Sequence, residues 1–354
     1  MAVTLRDVAA RAGVSARTVS NVVNDYPYVS QEMRAKVQAA LDELDYEPNL
    51  LARSLKRGRT GIINLLLPKI AVPYFSELAH EVVERATDLG LTVLIDETGG
   101  QAERELALLD VANRSRWVDG VLLSPLGLDS DALAGLRRSS IPVVLLGERT
   151  GKARHDHVGI DNVLAARDAT DHLLASGRNR VGAVGGPAGL ADMTSRLRLK
   201  GYRAALRAAG RPRGEDLYAR SPDYTRGAAA TAVRGLLDKG DAPDALVCFS
   251  AEMAVGALRE LYLRGVAVPS EVGIVAFDDV EECRFSTPSL TSVGPDMATV
   301  AGAALDLLME RVAGSQGEPR DLTIEHRLVV RESTRAPESG RPPPQRELRV
   351  RATG

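Results

Sequence analysis

From Gly61 onward, short apolar runs alternate with amphipathic helical stretches, and that alternation narrows the possible architectures sharply. The runs are IINLLL (62–67), LTVLID (91–96), VDGVLLS (118–124), PVVLLG (142–147), VGAVGG (181–186), ALVCF (245–249) and VGIVAF (272–277). Between them lie helical patterns such as FSELAHEVVERATDLG, ARDATDHLLASG, RLKGYRAALRAAG and AVGALRELYLRG. Such an order predicts a parallel, doubly wound sheet with helices on both faces. There are too many strands for one comfortable sheet, so the reading is a two-lobed α/β core. The chain is long enough for this: 354 residues exceed one ordinary domain, and 44% hydrophobic against 26% charged allows a buried core.

The first sixty residues follow a different pattern, that of three short helices. Thr4 with Asp7 makes a capping-box-like start, and Val8, Ala9 and Ala12 share one face. Gly13 stops that helix by permitting positive φ. Ser15 caps a second helix carrying Val19, Val22 and Val23, and Ser30 caps a third with Val37, Leu41 and Leu44 inward. Two helices joined at a glycine, with small Ala9 at their crossing, fit a helix-turn-helix; an ordinary helical hairpin is the bland alternative.

The exposed side of the second helix favours the first option. Ser15, Ala16, Arg17, Thr18, Ser20, Asn21 and Asn24 are small, polar or cationic, with no carboxylate before Asp25. Phosphate oxygens and base edges suit such a face. Arg17 could fork onto guanine, and Asn21 could pair with adenine or a phosphate. Net charge agrees only when split. The whole chain is −2, but residues 1–60 carry nine basic and seven acidic side chains (+2), and the remainder carries 36 and 40 (−4). From Asn49 to Gly61 there are four basic residues, Arg53, Lys56, Arg57 and Arg59, and no acid.

VTLRDVAARAGVSARTVSNVVN followed by VSQEMRAKVQAALDELDYEPNLLARSL resembles the headpiece of LacI/GalR transcriptional regulators, essentially unbroken over residues 3–56. The resemblance implies a dimer on a pseudo-palindromic operator, with the second helix in the major groove. It implies that Pro48–Leu55 forms a hinge helix on DNA and that Leu55 is the wedge inserted in the minor groove. Base-reading positions fall on Ala16, Arg17 and Asn21. The implied DNA-contacting set is Thr4, Ser15, Ala16, Arg17, Thr18, Ser20, Asn21, Asn24, Ser30, Asn49, Ala52 and Leu55.

The later segments continue the resemblance in order: PYFSEL, VDGVLLSP, VGIDN, RLKGYRAAL, EMAVGALREL, VPSEVGIVAFDD and PSLTSV. They are similar to the periplasmic-binding-protein-like core that follows the headpiece, where a small ligand lies between lobes at the carboxyl ends of strands. The implied division is a headpiece at 1–47, a hinge and linker at 48–60, and a core at 61–335. Within the core, the N-lobe spans about 61–161 and 293–323, and the C-lobe about 162–290 and 324–335. The effector candidates are Tyr74, Phe75, Ser124, Asp161, Arg198, Tyr224, Ser250 and Asp278. Asp161 could equally be a helix cap. Two departures from the family pattern stand out. Ser250-Ala251 replaces an Asn-Asp pair, which weakens a simple monosaccharide as effector, and Gly147 stands where an Asp is frequent.

Catalytic readings find little support. Asp278 and Asp279 are adjacent and point apart. His155-Asp156-His157 has too short a spacing for a helical metal pair and reads as a solvated loop. Gly182–Gly189 fits neither nucleotide-loop spacing, and Ser250 has no nucleophile elbow. No cofactor is called for. Cys248 and Cys283 cannot make a disulfide framework. No apolar run approaches the ~18 residues that cross a membrane, and MAVTLRDVAARAG has no signal-peptide core, so a soluble cytoplasmic protein is expected. The end, residues 335–354, is Pro-rich with five basic and two acidic side chains and no leucine heptads, so an extended tail is expected. The reading is thus a ligand-controlled DNA-binding regulator, most simply a repressor. Its rival is a cytoplasmic small-molecule-binding protein with a vestigial headpiece.

Overall fold

The computed structural model describes residues 3–23, 26–46, 59–115, 117–128, 131–132, 141–148, 155–186, 193–211, 216–240 and 242–335. The chain divides into a small N-terminal unit and a larger one.

In the small unit, α1 (Leu5–Ala12), α2 (Ala16–Val23) and α3 (Gln31–Glu43) pack around Val8, Ala9, Ala12, Val19, Val22, Val37 and Leu41. Local chemistry fixes each boundary. Thr4 Oγ1 accepts from the Asp7 amide, and Asp7 returns the bond by accepting from the Thr4 amide at 2.8 Å. Gly13 ends α1 at φ 60°, the left-handed conformation that glycine adopts without strain. Ser15 accepts from the Thr18 amide at 3.1 Å, and Ser30 caps α3 through the Met33 amide.

The larger unit contains two six-stranded sheets. The first runs β11–β5–β4–β3–β1–β2 and the second β12–β10–β9–β8–β6–β7. Their strands are β1 (Ile62–Leu67), β2 (Thr92–Glu97), β3 (Gly120–Leu123), β4 (Val143–Leu146), β5 (Asp156–Ile160), β6 (Val181–Gly185), β7 (Tyr218–Arg220), β8 (Ala245–Cys248), β9 (Gly273–Phe277), β10 (Thr291–Pro295), β11 (Asp321–Ile324) and β12 (His326–Val329). Pairing from β11 through β5, β4 and β3 to β1 is parallel. In the second sheet β12 alone is antiparallel, against β10. Strands β3, β4, β6, β8 and β9 are buried along their whole length, as strands covered on both faces must be.

The helices are α4 (Pro73–Asp88), α5 (Ala102–Ser115), α6 (Asn162–Ala175), α7 (Met193–Ala208), α8 (Arg226–Leu237), α9 (Ala251–Leu263), α10 (Glu281–Phe285) and α11 (Met297–Val312). α4 and α11 share the first lobe's core, whereas α6 and α9 share the second's. The chain crosses between lobes three times, at Asp161, Asp296 and Glu325. The second crossing lies beyond the 293 read from sequence, because Thr291–Val293 pair with Val275–Phe277 of β9 and hold β10 in the second sheet.

Gly201 sets the closest helix approach in the second lobe. A Cβ there would lie 2.1 Å from the Val163 carbonyl oxygen and 2.9 Å from Ala166 Cβ on α6. Gly201→Ala is therefore expected to force α6 and α7 apart at a cost of about 1–3 kcal/mol or more. An unchanged denaturation midpoint would show that this contact carries no constraint.

The triplet His155-Asp156-His157 is corrected by the structure. Asp156 begins β5, and Asp156 and His157 are buried, not solvated. Arg311 donates to Asp156 through Nε at 2.6 Å and Nη2 at 3.0 Å, and the Arg320 amide donates at 2.7 Å. His157 lies 2.7 Å from Asp321 and 3.0 Å from the Gly147 carbonyl.

Candidate functional site

Between the two sheets, at the carboxyl ends of their strands, lies a cleft of about 350 Å³ including its open mouth. Its polar lining is Tyr74, Glu148, Asn162, Arg198 and Asp278, set against Val158, Ile160, Pro295 and Val300.

Arg198 projects from α7 and is 6% exposed. Nε donates to Asn162 Oδ1 at 2.7 Å, Nη1 donates to the Phe249 carbonyl, and Nη2 lies 3.6 Å from Asp278. Its Cζ stacks 3.9 Å from the centre of the Phe277 ring. Asp278 follows β9 directly, in the left-handed region at φ 68°. An Asp tolerates this better than most residues, and the turn aims its carboxylate back toward Arg198.

Glu148 follows β4 from the opposite lobe. Both of its oxygens accept from Asn162 Nδ2 at 2.8 Å, and Oε1 also accepts from Thr194 Oγ1 at 3.1 Å. A second link between lobes runs from the Glu281 amide to Glu77 on α4, at 2.7 Å. Burial pushes the carboxyls of Glu148 and Asp278 above their ordinary values, and the nearby Arg198 charge opposes both shifts. Burial likewise raises the Tyr74 phenol.

Three of the sequence candidates meet in this cleft: Tyr74, Arg198 and Asp278. The others sit elsewhere. Phe75 packs in the first lobe's core, edge-on to Tyr74. Asp161 is exposed and caps α6, accepting from Val163 and Leu164 amides at 3.0 and 2.9 Å. Ser250 caps α9 through the Met253 amide, and Tyr224 hydrogen-bonds Ser195 at 2.6 Å. Ser124 is buried behind the lining, about 3.9 Å from where a Gly147 Cβ would lie. Glu148 and Asn162 were missed, although each directly follows a residue singled out in the sequence, Gly147 and Asp161. The strand-end rule marks both positions. Among the described residues there is no cluster of His, Cys, Asp and Glu that could hold a metal ion.

On the headpiece, Ser15, Ala16 and Arg17 are exposed, and Thr18 and Asn21 are partly so. Thr4 and Ser30 are exposed caps. Ser20 turns inward and is 7% exposed. Asn24, Asn49, Ala52, Leu55, the hinge and the tail at 336–354 lie outside the described residues.

Comparison with known proteins matches both units. Residues 4–49 match the family described as bacterial regulatory proteins, lacI family, and residues 170–334 match a periplasmic binding protein-like domain. The transcriptional repressor CytR of Escherichia coli K12 is 32% identical over 335 residues, covering 95% of this chain and 97% of that protein. The ribose operon repressor of the same strain is 32% identical over 331 residues, covering 93% and 99%. The lac repressor dimer bound to operator superposes with a TM-score of 0.85 at 26% identity, covering 95% of this chain and 100% of that one. A complex of the regulator CelR with cellobiose gives 0.69 at 32%, covering 94% and 99%. The chain belongs to the lacI family of bacterial regulatory proteins. It is a transcriptional repressor of that kind, with a DNA-binding headpiece and an effector-binding core, and a vestigial-headpiece binding protein is not favoured. CytR and the ribose operon protein are both repressors, and neither name is that of an enzyme. No helix among the described residues is long and apolar enough to cross a membrane.

Proposed function

We propose that the chain works as a homodimer on a pseudo-palindromic operator, that Arg17 and Asn21 read bases, and that a sugar or related hydroxylated metabolite in the Tyr74–Arg198–Asp278 cleft sets operator affinity. The observation that carries the DNA half is the exposed face of α2. It offers Ser, Ala, Arg, Thr and Asn with no carboxylate, on a helix locked by buried Val19 and Val22. The cleft half is supported by converging polar groups at strand ends and by two relatives whose names concern a ribose operon and cellobiose. Ligand control requires only that the ligand bind the two lobe arrangements with different affinity.

A gel shift with DNA upstream of the protein's own locus, with and without candidate sugars and nucleosides, tests the reading. The absence of any sequence-specific shift would remove it. Arg17→Ala is expected to cost about 1–3 kcal/mol on the operator and to relax sequence preference. An equal loss on every sequence would move Arg17 from bases to phosphates.

A further inference from the structure

The charges lining the cleft do not balance. Two carboxylates, Glu148 and Asp278, face one guanidinium, Arg198. That guanidinium is committed within the protein: each of its three nitrogens already faces a protein oxygen, on Asn162, Phe249 and Asp278, and one of its faces lies on Phe277. Arg198 pairs with Asp278 and acts on Glu148 only at longer range, and among the described residues no cationic side chain hydrogen-bonds Glu148. Among the described residues the hydrogen bonds to Glu148 come from neutral donors, Asn162 and Thr194. Hydroxyls or an amine on a ligand supply the donors that such a carboxylate lacks. A phosphate or carboxylate brings chiefly acceptors and a charge of the same sign as Glu148.

We propose that Glu148 is the charge filter of this cleft, admitting donor-rich ligands that are uncharged or carry an amine and excluding those that carry phosphate or carboxylate. The inference rests on reading the cleft as the effector site and adds the class of ligand it takes. Glu148 is also placed to report occupancy. It comes from the first lobe, while Asn162 and Thr194 come from α6 and α7 of the second, so a donor that competes for its oxygens acts on a contact between lobes.

The test uses the full chain in thermal-shift melts with ribose, glucose, glucosamine, adenosine, ribose 5-phosphate, glucose 6-phosphate and gluconate. A ligand that binds the native state raises the midpoint by mass action. Stabilisation is expected only among the neutral and amine-bearing members. A phosphorylated or carboxylated member that stabilises as well as its neutral parent overturns the filter and leaves the cleft as effector site. Silence across the series overturns the underlying reading of the cleft as a sugar or nucleoside site. For the ligand that binds, Glu148→Gln is expected to weaken affinity about ten- to a hundred-fold, the range for a lost charged hydrogen bond. Discrimination against the phosphorylated partner should narrow with it. Gln keeps Oε1 for Asn162 and Thr194, so the ligand-free melting midpoint is expected at or above that of the parent. Unchanged affinity and unchanged discrimination in Glu148→Gln sink the proposal. Glu148→Asp keeps the charge and should keep the discrimination; if it admits the phosphorylated partner, charge is not the filter.

Discussion

Arg198→Met is expected to destabilise the core by about 3–5 kcal/mol, the cost of breaking a buried ion pair from one side, and to abolish the effector response. Methionine fills much of the volume and restores the contact with the Phe277 ring, so lost packing is the smaller part. The larger part is what remains behind: Asp278, 8% exposed, loses its counter-charge, while Asn162 Oδ1 and the Phe249 carbonyl lose their donor. Buried acceptors without donors carry their full desolvation penalty. Lysine would not substitute, because a single ammonium cannot span three acceptors that a planar fork reaches at once. Urea denaturation of the ligand-free chain measures the loss. The pairing can be separated from the rest by Arg198→Met with Asp278→Asn, where the uncompensated charge is gone and part of the stability should return. If the single variant unfolds at the parent's midpoint and still responds to effector, Arg198 is not the centre of this cleft.

Part of this site was legible in the sequence and part was not, for reasons that particular residues show. Arg198 and Asp278 were legible through the resemblance to the family, which RLKGY on an amphipathic helix and VAFD at the end of an apolar run carry. The sheets were legible where a buried strand is also an apolar run, as in β1, β3, β4, β6, β8 and β9, whereas β10 is buried throughout but carries Thr, Ser, Gly and Pro. β5 gave no such signal. Its first two residues, Asp156 and His157, read as solvated because the groups that hydrogen-bond them, Arg311, Arg320 and Asp321, lie more than 150 residues along the chain. Short-range pattern carries no information about such partners. Glu148 was hidden differently. The family pattern puts an acid at the position of Gly147, and in this chain the acid stands one position further on. Gly147 takes a positive φ of 98°, and Glu148 after it lines the cleft instead. Asp161 shows the converse: a carboxylate in the expected segment is taken up by two amides at the start of α6, and its neighbour Asn162 is the one that faces the cleft.

Asp156 gives the second large effect, and its signature is the pH at which it disappears. The residue is 3% exposed and ties β5 to α11 and to the approach of β11 through Arg311 and the Arg320 amide. Burial alone raises its carboxyl, but the hydrogen bonds from Arg311 and Arg320, with both charges, outweigh burial and hold it below the ordinary carboxylate range. A carboxyl with a lowered folded pKa stabilises the native state above its unfolded value, about 3.9, and loses that contribution as the pH falls through the folded value. Asp156→Asn keeps the shape and one acceptor but removes the charge. At pH 7 it should therefore cost about 3–5 kcal/mol, leaving Arg311 without its counter-ion. Below about pH 3.9 the unfolded chain takes up its proton at this position first, and native Asp156 follows only at its lower folded value, so the two unfolding free energies should begin to converge below about pH 3.9 and meet only beneath the folded value. Glu148 and Asp278 work in the opposite sense. Their raised carboxyls favour the ligand-free fold at low pH, and that contribution is lost as the pH rises through their folded values. Their titration is common to parent and variant, so it cancels from the difference. Urea midpoints of parent and Asp156→Asn, taken in steps from pH 7 to about pH 2 so that the window below the unfolded value is crossed, isolate the one carboxylate. A gap that stays constant over that range would show that the Asp156–Arg311 pair stabilises through shape alone and not through charge.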